Sequence, residues 1–269
     1  MKGLNHINRS LQKGKSLVSK LVWNPHYLLP FFTMGLCETV KAQKQTTYVN
    51  QVWMAYLNQT RFSKHWGGWV DLHLRTKEDF FTNFSQSITR LGVTYYLNDD
   101  VRLTAGYAYV LIFPDDTHPG VTQPEHRPWQ QIQWQTKYPR IRLSQYLRLE
   151  ERFKRKIKSP DELDEGYSFN YRTRYNFTFS AAIGKKPFAP NSFAFVANDE
   201  LLVNFGKEIV YNYFDQNRFF LGFSYQTNKT DNLQFGYLNV FQQLSGGNKY
   251  KSMSGIRVYY FHNLDLRKK

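Results

Sequence analysis

The chain has almost no cysteine. Cys37 is the single one in 269 residues, and it falls in an N-terminal stretch that reads as a removable leader. The rest of the chain therefore has no thiol for a disulfide, a zinc–thiolate site or a cysteine nucleophile. Long apolar runs are also missing. Nothing approaches the roughly 18 residues of a membrane-crossing helix, and mean hydropathy is −0.59. Convincing helical periods are absent. None of the histidines that follow the leader (His65, His73, His118, His126 and His262) stands in a G-x-S-x-G or H-E-x-x-H context. The sequence predicts no cofactor, no metal and no recognisable catalytic motif. An outer-membrane lipid hydrolase would need a Ser/His pair; His73, on a polar face, is the best base, and no serine can be named for it.

Low hydropathy does not exclude a membrane β-barrel, because only alternate residues of its strands face lipid. What the chain does have fits that case. Aromatics make up 17%, with 22 Phe and 19 Tyr, a composition that favours strands. The net charge is +15, and about +5 of it sits in residues 1–42. The remaining basic residues alternate with Phe, Tyr and Leu along strands. They do not form a block, which argues against nucleic acid as a partner.

Residues 1–26 carry Lys2, Arg9, Lys13, Lys15 and Lys20. The short apolar run Tyr27 to Cys37 follows, and then Val40 and Ala42 stand at −3 and −1 of a cleavage site before Gln43. This is the order of a secretory signal peptide. The expected division is a leader over 1–42 and a barrel over 43–269. Leu36 before Cys37 argues against a lipoprotein signal.

From Gln45 onward, eleven segments of about 10–14 residues alternate in polarity. They are read near 46–59, 66–77, 83–97, 101–113, 128–138, 140–153, 167–180, 193–205, 217–228, 232–243 and 253–264. In Arg140 to Phe153, one face reads Ile, Leu, Gln, Leu, Leu, Glu, Phe and the other Arg, Ser, Tyr, Arg, Glu, Arg. Tyr167 to Ser180 and Arg218 to Thr227 repeat the pattern. In "FAFVANDELLVNF" both phases are mixed, and a bulge at Asn198–Asp199 is expected to turn Asp199 and Glu200 to the polar side. The prolines from Pro114 to Pro190 fall in connections or at strand ends. Connections 97–100, 138–140 and 228–232 are tight, whereas 114–128, 154–166 and 206–217 are long and polar.

A soluble sandwich explains alternation but neither the strand length nor the alternating loop length. An inside-out barrel explains all three. The fold expected is therefore an all-β, antiparallel up-and-down transmembrane β-barrel of 10–12 strands with a charged lumen. Eleven segments conflict with the even strand number usual for such barrels, so either one more strand precedes them or the first is not a full stave. Trp53, Trp66, Trp69, Trp129, Trp134 and Tyr138 are expected at headgroup level. The alternative is a soluble periplasmic lipid-binding barrel with its Phe/Tyr face inward.

The segments "YLNDDVRLTAGYAYV", "EHRPWQQ", "RLEERF", "FDQNRFFLGFSY" and "FGYLNVF" resemble, in this order, domain of unknown function 2490, a Gram-negative family common in Bacteroidota. The resemblance spans roughly 46–264. It implies an outer-membrane β-barrel, with outer-membrane lipid and the barrel assembly machinery as partners, and it implies no mechanism. The chain ends in "HNLDLRKK", without the terminal aromatic that many barrels present to that machinery.

The predicted lumen row is Arg142, Arg148, Glu150, Arg152, Arg172, Arg174, Glu200 and Arg218. Its plain reading is an ion-pair network that plugs the barrel. The sharper readings are a narrow anion-preferring pore, or Arg clusters that hold a phosphate or carboxylate bidentately. Glu125, His126 and Arg127 are expected to latch the longest loop or bind a ligand at the mouth. Asp215 and Arg218 are expected to form a local ion pair.

Overall fold

The computed structural model describes residues 44–116 and 118–267; the leader, with Cys37, lies outside the described residues. Eleven strands follow one another: β1 (Gln45–Arg61), β2 (Trp66–Glu78), β3 (Thr82–Tyr96), β4 (Val101–Ile112), β5 (Gln123–Lys137), β6 (Ile141–Ser159), β7 (Glu162–Ile183), β8 (Ser192–Phe205), β9 (Phe214–Gln226), β10 (Asp231–Gln243) and β11 (Lys249–Asp265). Each pairs antiparallel with the next, and the sheet closes into a barrel. Closure satisfies every edge strand.

The conflict over strand number resolves at the seam. An odd number of up-and-down strands leaves the first and last running in the same direction, so β1 and β11 pair in parallel. Their register runs unbroken from Gln45 opposite Lys249 to Arg61 opposite Asp265. β1 is a full stave, and the parallel seam replaces the twelfth strand that an all-antiparallel closure requires.

Connections sort onto two rims. One rim carries 62–65, 97–100, 138–140, 184–191 and 227–230; the other carries 79–81, 113–122, 160–161, 206–213 and 244–248. The three tight turns expected from sequence share the first, called here the tight-turn rim. The expected loop 154–166 is not a loop: β6 and β7 continue to Ser159 and Glu162 as a hairpin, with register shifts after Arg155 and Ile157. β5 likewise begins at Gln123, so Pro124 and Pro128 lie inside a strand. Pro128 pairs opposite Tyr107 of β4, while on the β6 side the ladder skips Arg127 and Pro128. The missing proline N–H falls in that gap.

The wall has the two faces the alternation requires, with the apolar one outside. Leu91, Val93, Leu103, Leu147, Phe177, Phe219, Leu221, Phe223, Phe235 and Ile256 are all exposed, while Glu125, Glu150, Arg148, Arg172 and Asp71 are buried inside. A barrel that carries a lipid inside would have Phe and Tyr inward; here that face points out. Three of the expected headgroup tryptophans also go the other way. Trp53, Trp69 and Trp129 are buried in the lumen, whereas Trp66 and Tyr138 are exposed at the tight-turn rim. Trp129 packs with Trp69, Ile88, Ala108 and Val110, and Trp53 with Val196, Phe220, Leu238, Val240 and Met253. The large inward rings need room. Gly92 pairs with Gly106, and a Cβ on Gly106 would stand 2.8 Å from the Trp129 ring.

Asp199 departs from expectation. The register runs unbroken through Asn198, Asp199 and Glu200 on both sides, so no bulge turns Asp199 inward. Strict alternation sends Glu200 in and Asp199 out, opposite Phe177 and Phe219. Asn217 Nδ2 donates to Asp199 Oδ1 at 2.9 Å on that outer wall.

Candidate functional site

The charged residues of β5 to β9 meet inside the barrel in one network. Residues two apart on a strand share a face, so Arg148, Glu150 and Arg152 of β6 point inward together, as do Arg172 and Arg174 of β7. Glu150 is fully buried at its centre. Its Oε2 accepts from Arg172 Nε (2.8 Å) and Nη2 (2.5 Å), and its Oε1 accepts from Arg174 Nη1 (2.8 Å). Arg127 and Arg148 approach it at 3.7 and 3.9 Å. Glu125, also fully buried, accepts from Arg127 Nε and Nη2 and from Arg152 Nε and Nη2. Asp215 takes Arg172 Nη1 at 2.8 Å. Glu200 takes Arg174 at 2.6 Å and Arg218 at 3.1 Å, and the Tyr146 hydroxyl donates to it as well.

Four carboxylates thus meet six guanidiniums in a region nearly free of exposed surface. Charges buried this way are tolerable only when paired and hydrogen-bonded. Forked Arg–carboxylate contacts supply that pairing. The layer runs from Glu200 to Glu125 and Asp215, toward the rim opposite the tight turns, and its carboxylates are all buried.

Seven of the eight lumen-row residues belong to this layer; Arg142 does not. It is exposed near the tight-turn rim, with its guanidinium 3.9 Å from the Phe188 ring centre. Glu125 and Arg127 are not loop residues. They lie on β5 and enter the layer, while His126 between them faces outward. There His126 Nδ1 meets the Tyr107 hydroxyl, and the ring packs tilted against Tyr109 and edge-on against Tyr167. Asp215 and Arg218 do not pair with each other: Asp215 goes to Arg172 and Arg218 to Glu200. They stand three positions apart on β9, where alternation alone would put them on opposite faces; the register shift at Leu202/Val203 lets Asp215 turn inward as well, at a different height from Arg218 and toward a different partner.

A second polar group lies on β2 and β3. Asp71 Oδ2 accepts from Arg90 Nη1 at 2.8 Å, and Asp71 Oδ1 accepts from the Trp69 indole at 2.6 Å. His73 Nε2 lies 3.2 Å from Asp71 Oδ2 and 3.0 Å from Arg90 Nη1. Its hydrogen-bonding neighbours are thus an aspartate and an arginine.

Between these groups and the tight-turn rim lies a cavity of about 400 Å³. Its lining includes Arg75, Arg90, Arg102, Arg142, Arg148, Arg174, Arg218 and Arg257, against only Asp71 and Glu200 as acids. Alternation along β2 and β11 puts Asp71 and Arg75 on the same face as His73, and Arg257 on the polar face of β11, without marking them as a site. Alternation reveals which way a side chain points. It does not reveal that β1, β2 and β11 close against one another, and that closure brings Arg75, on Trp53, and Arg257, on Phe220, into the lining of one cavity.

The family model described as "Protein of unknown function (DUF2490)" matches residues 50–251. The match spans most of the barrel, and the chain belongs to that family. No curated protein and no solved structure matches.

Proposed function

We propose that this DUF2490 barrel sits in the outer membrane of a Gram-negative cell with a lumen closed by its ion-pair layer, as a plugged envelope barrel and not an open pore. The observation that carries the reading is the complete burial of Glu125 and Glu150 among five arginines at the barrel's centre. An ion channel needs a water-filled path past its charges, and here the charges are spent on one another. The outward Phe, Tyr and Leu side chains support placement in lipid. They form a continuous apolar wall on a scale that soluble monomers rarely expose. Rim aromatics such as Trp66, Tyr95 and Tyr138 suit the headgroup zone. The ten-residue connection 113–122 is on the far rim, and with the rim of 97–100 and 138–140 toward the periplasm, the cavity opens on the periplasmic side.

The test is ion flux through liposomes holding the refolded protein, with insertion verified by a heat-modifiable gel band. The reading expects no steady conductance from the wild type. It expects conductance to appear when the layer is hollowed out by the combined changes Glu150→Ala and Arg172→Ala. Ohmic conductance from the wild type would overturn it.

A further inference from the structure

The cavity on the tight-turn side holds more positive charge than its own acids offset. Asp71 is taken by Arg90, and Glu200 by Arg174 and Arg218. Arg148 approaches Glu150 at 3.9 Å. Arg75, Arg102, Arg142 and Arg257 are left with no acid of the lining, and Arg75 and Arg257 are bound only to neutral groups. Arg75 Nη1 donates to Gln86 Oε1 at 2.8 Å, and its guanidinium lies 3.6 Å from the Trp53 ring centre. Arg257 Nη2 donates to Gln234 Oε1 at 3.1 Å, its Nη1 reaches Asn198 Oδ1 at 3.5 Å, and its guanidinium lies 3.4 Å from the Phe220 ring centre. Arg257 is only 8% exposed. The Nε atoms of Arg75, Arg90 and Arg257 are buried without a hydrogen-bond acceptor.

The register explains why these two meet. Trp53 of β1 stands opposite Arg75 of β2 on one side and beside Arg257 of β11 on the other. All three face inward: Arg75 lies on the Trp53 indole, with Arg218 further off at 5.2 Å, while Arg257 lies on the Phe220 and Tyr259 rings, and both Arg75 and Arg257 line the same cavity. Stacking on aromatic faces holds each fork in a fixed plane. A cation so buried and lacking a counter-charge is costly, and a bound anion removes that cost. Toward the rim Arg102 and Arg142 stand among neutral amides and hydroxyls, including Gln133, Ser144, Asn176, Thr178 and Asn263. Such groups both donate to and accept from hydroxyls. The volume lies in the range of small-molecule sites.

We propose that this cavity binds a small sugar carrying an anionic group, its carboxylate or phosphate held by Arg75, seated on Trp53, and by Arg257, seated on Phe220, and its hydroxyls by the amide collar. The inference rests on the barrel's interior and not on its placement in a membrane, so it can be tested in detergent whether or not the membrane reading holds.

The test is isothermal titration of the full-length folded barrel in detergent with glucose 6-phosphate, glucuronate, glucose and inorganic phosphate. At least one sugar anion binds. Glucose alone binds at least tenfold more weakly, and inorganic phosphate is at least tenfold weaker than the sugar anion that binds. Comparing glucuronate with glucose 6-phosphate decides whether the acid is a carboxylate or a phosphate. The double change Arg75→Gln and Arg257→Gln lowers affinity at least tenfold while the heat-modifiable band persists. Absence of binding by both sugar anions, glucose binding as tightly as they do, inorganic phosphate matching them, or unchanged affinity in the folded double variant would each overturn the assignment. If the double variant fails to fold, the wild-type series decides alone.

Discussion

Glu150 and Arg172 stand directly opposite each other on β6 and β7, and a single oxygen of Glu150 accepts from both Nε and Nη2 of Arg172, at 2.8 and 2.5 Å. Its other oxygen is left free for Arg174. One carboxylate therefore joins guanidiniums from two heights of β7, and Arg172 passes the link on to Asp215 of β9.

Glu150→Gln removes the charge that Arg172 and Arg174 share while preserving shape. The buried guanidiniums are left under-compensated, and the expected cost is about 3–5 kcal/mol of folding stability. Urea titration in detergent, followed by loss of the heat-modifiable band, measures it. A cost near zero would mean that water reaches the layer.

Asp199→Leu is expected to act in the opposite direction. An outward carboxylate between Phe177 and Phe219 is unfavourable against lipid, so its replacement should stabilise the barrel in bilayers by on the order of 1 kcal/mol. Stability in lipid vesicles checks this. Destabilisation in vesicles would argue that this face does not meet lipid.

Single-tryptophan proteins separate the two faces. Trp66 is 53% exposed, while Trp129 is fully buried. Brominated lipid should quench Trp66 and leave Trp129 unaffected.

The seam is tested by a cross-link. Asn50 and Ser254 are register partners on β1 and β11, and neighbouring strands lie within disulfide reach. Asn50→Cys with Ser254→Cys, in a chain with Cys37→Ser, should form an intramolecular disulfide. A hidden strand between β1 and β11 would keep the thiols apart.

Much of this architecture is readable from alternation. Segments such as Arg140 to Phe153 and Tyr167 to Ser180 show a period of two long enough to fix both strand and face, and the lumen row follows from it. Three kinds of feature escape. Pro124 and Pro128 hide the start of β5, because proline normally marks a strand's end; the ladder gap opposite them leaves no sequence trace. The polar residues of 154–166 resemble a loop, although the hairpin they form is held by pairing beyond the apolar band. The mixed phase around Asp199 suggests a bulge because a carboxylate on an apolar wall is unfavourable, yet the ladder on both sides holds the register. Trp53, Trp69 and Trp129 were expected outside for the same kind of reason. Tryptophan favours an interface in general, and only closure with inward-facing glycines makes room for it in the lumen.

The most direct measurement is fractionation of cells that express the full chain, followed by electrophoresis of heated and unheated samples. The account predicts recovery in the outer-membrane fraction, with an unheated band that migrates faster than the heated one. Recovery in the soluble fraction, with no such difference, would contradict it.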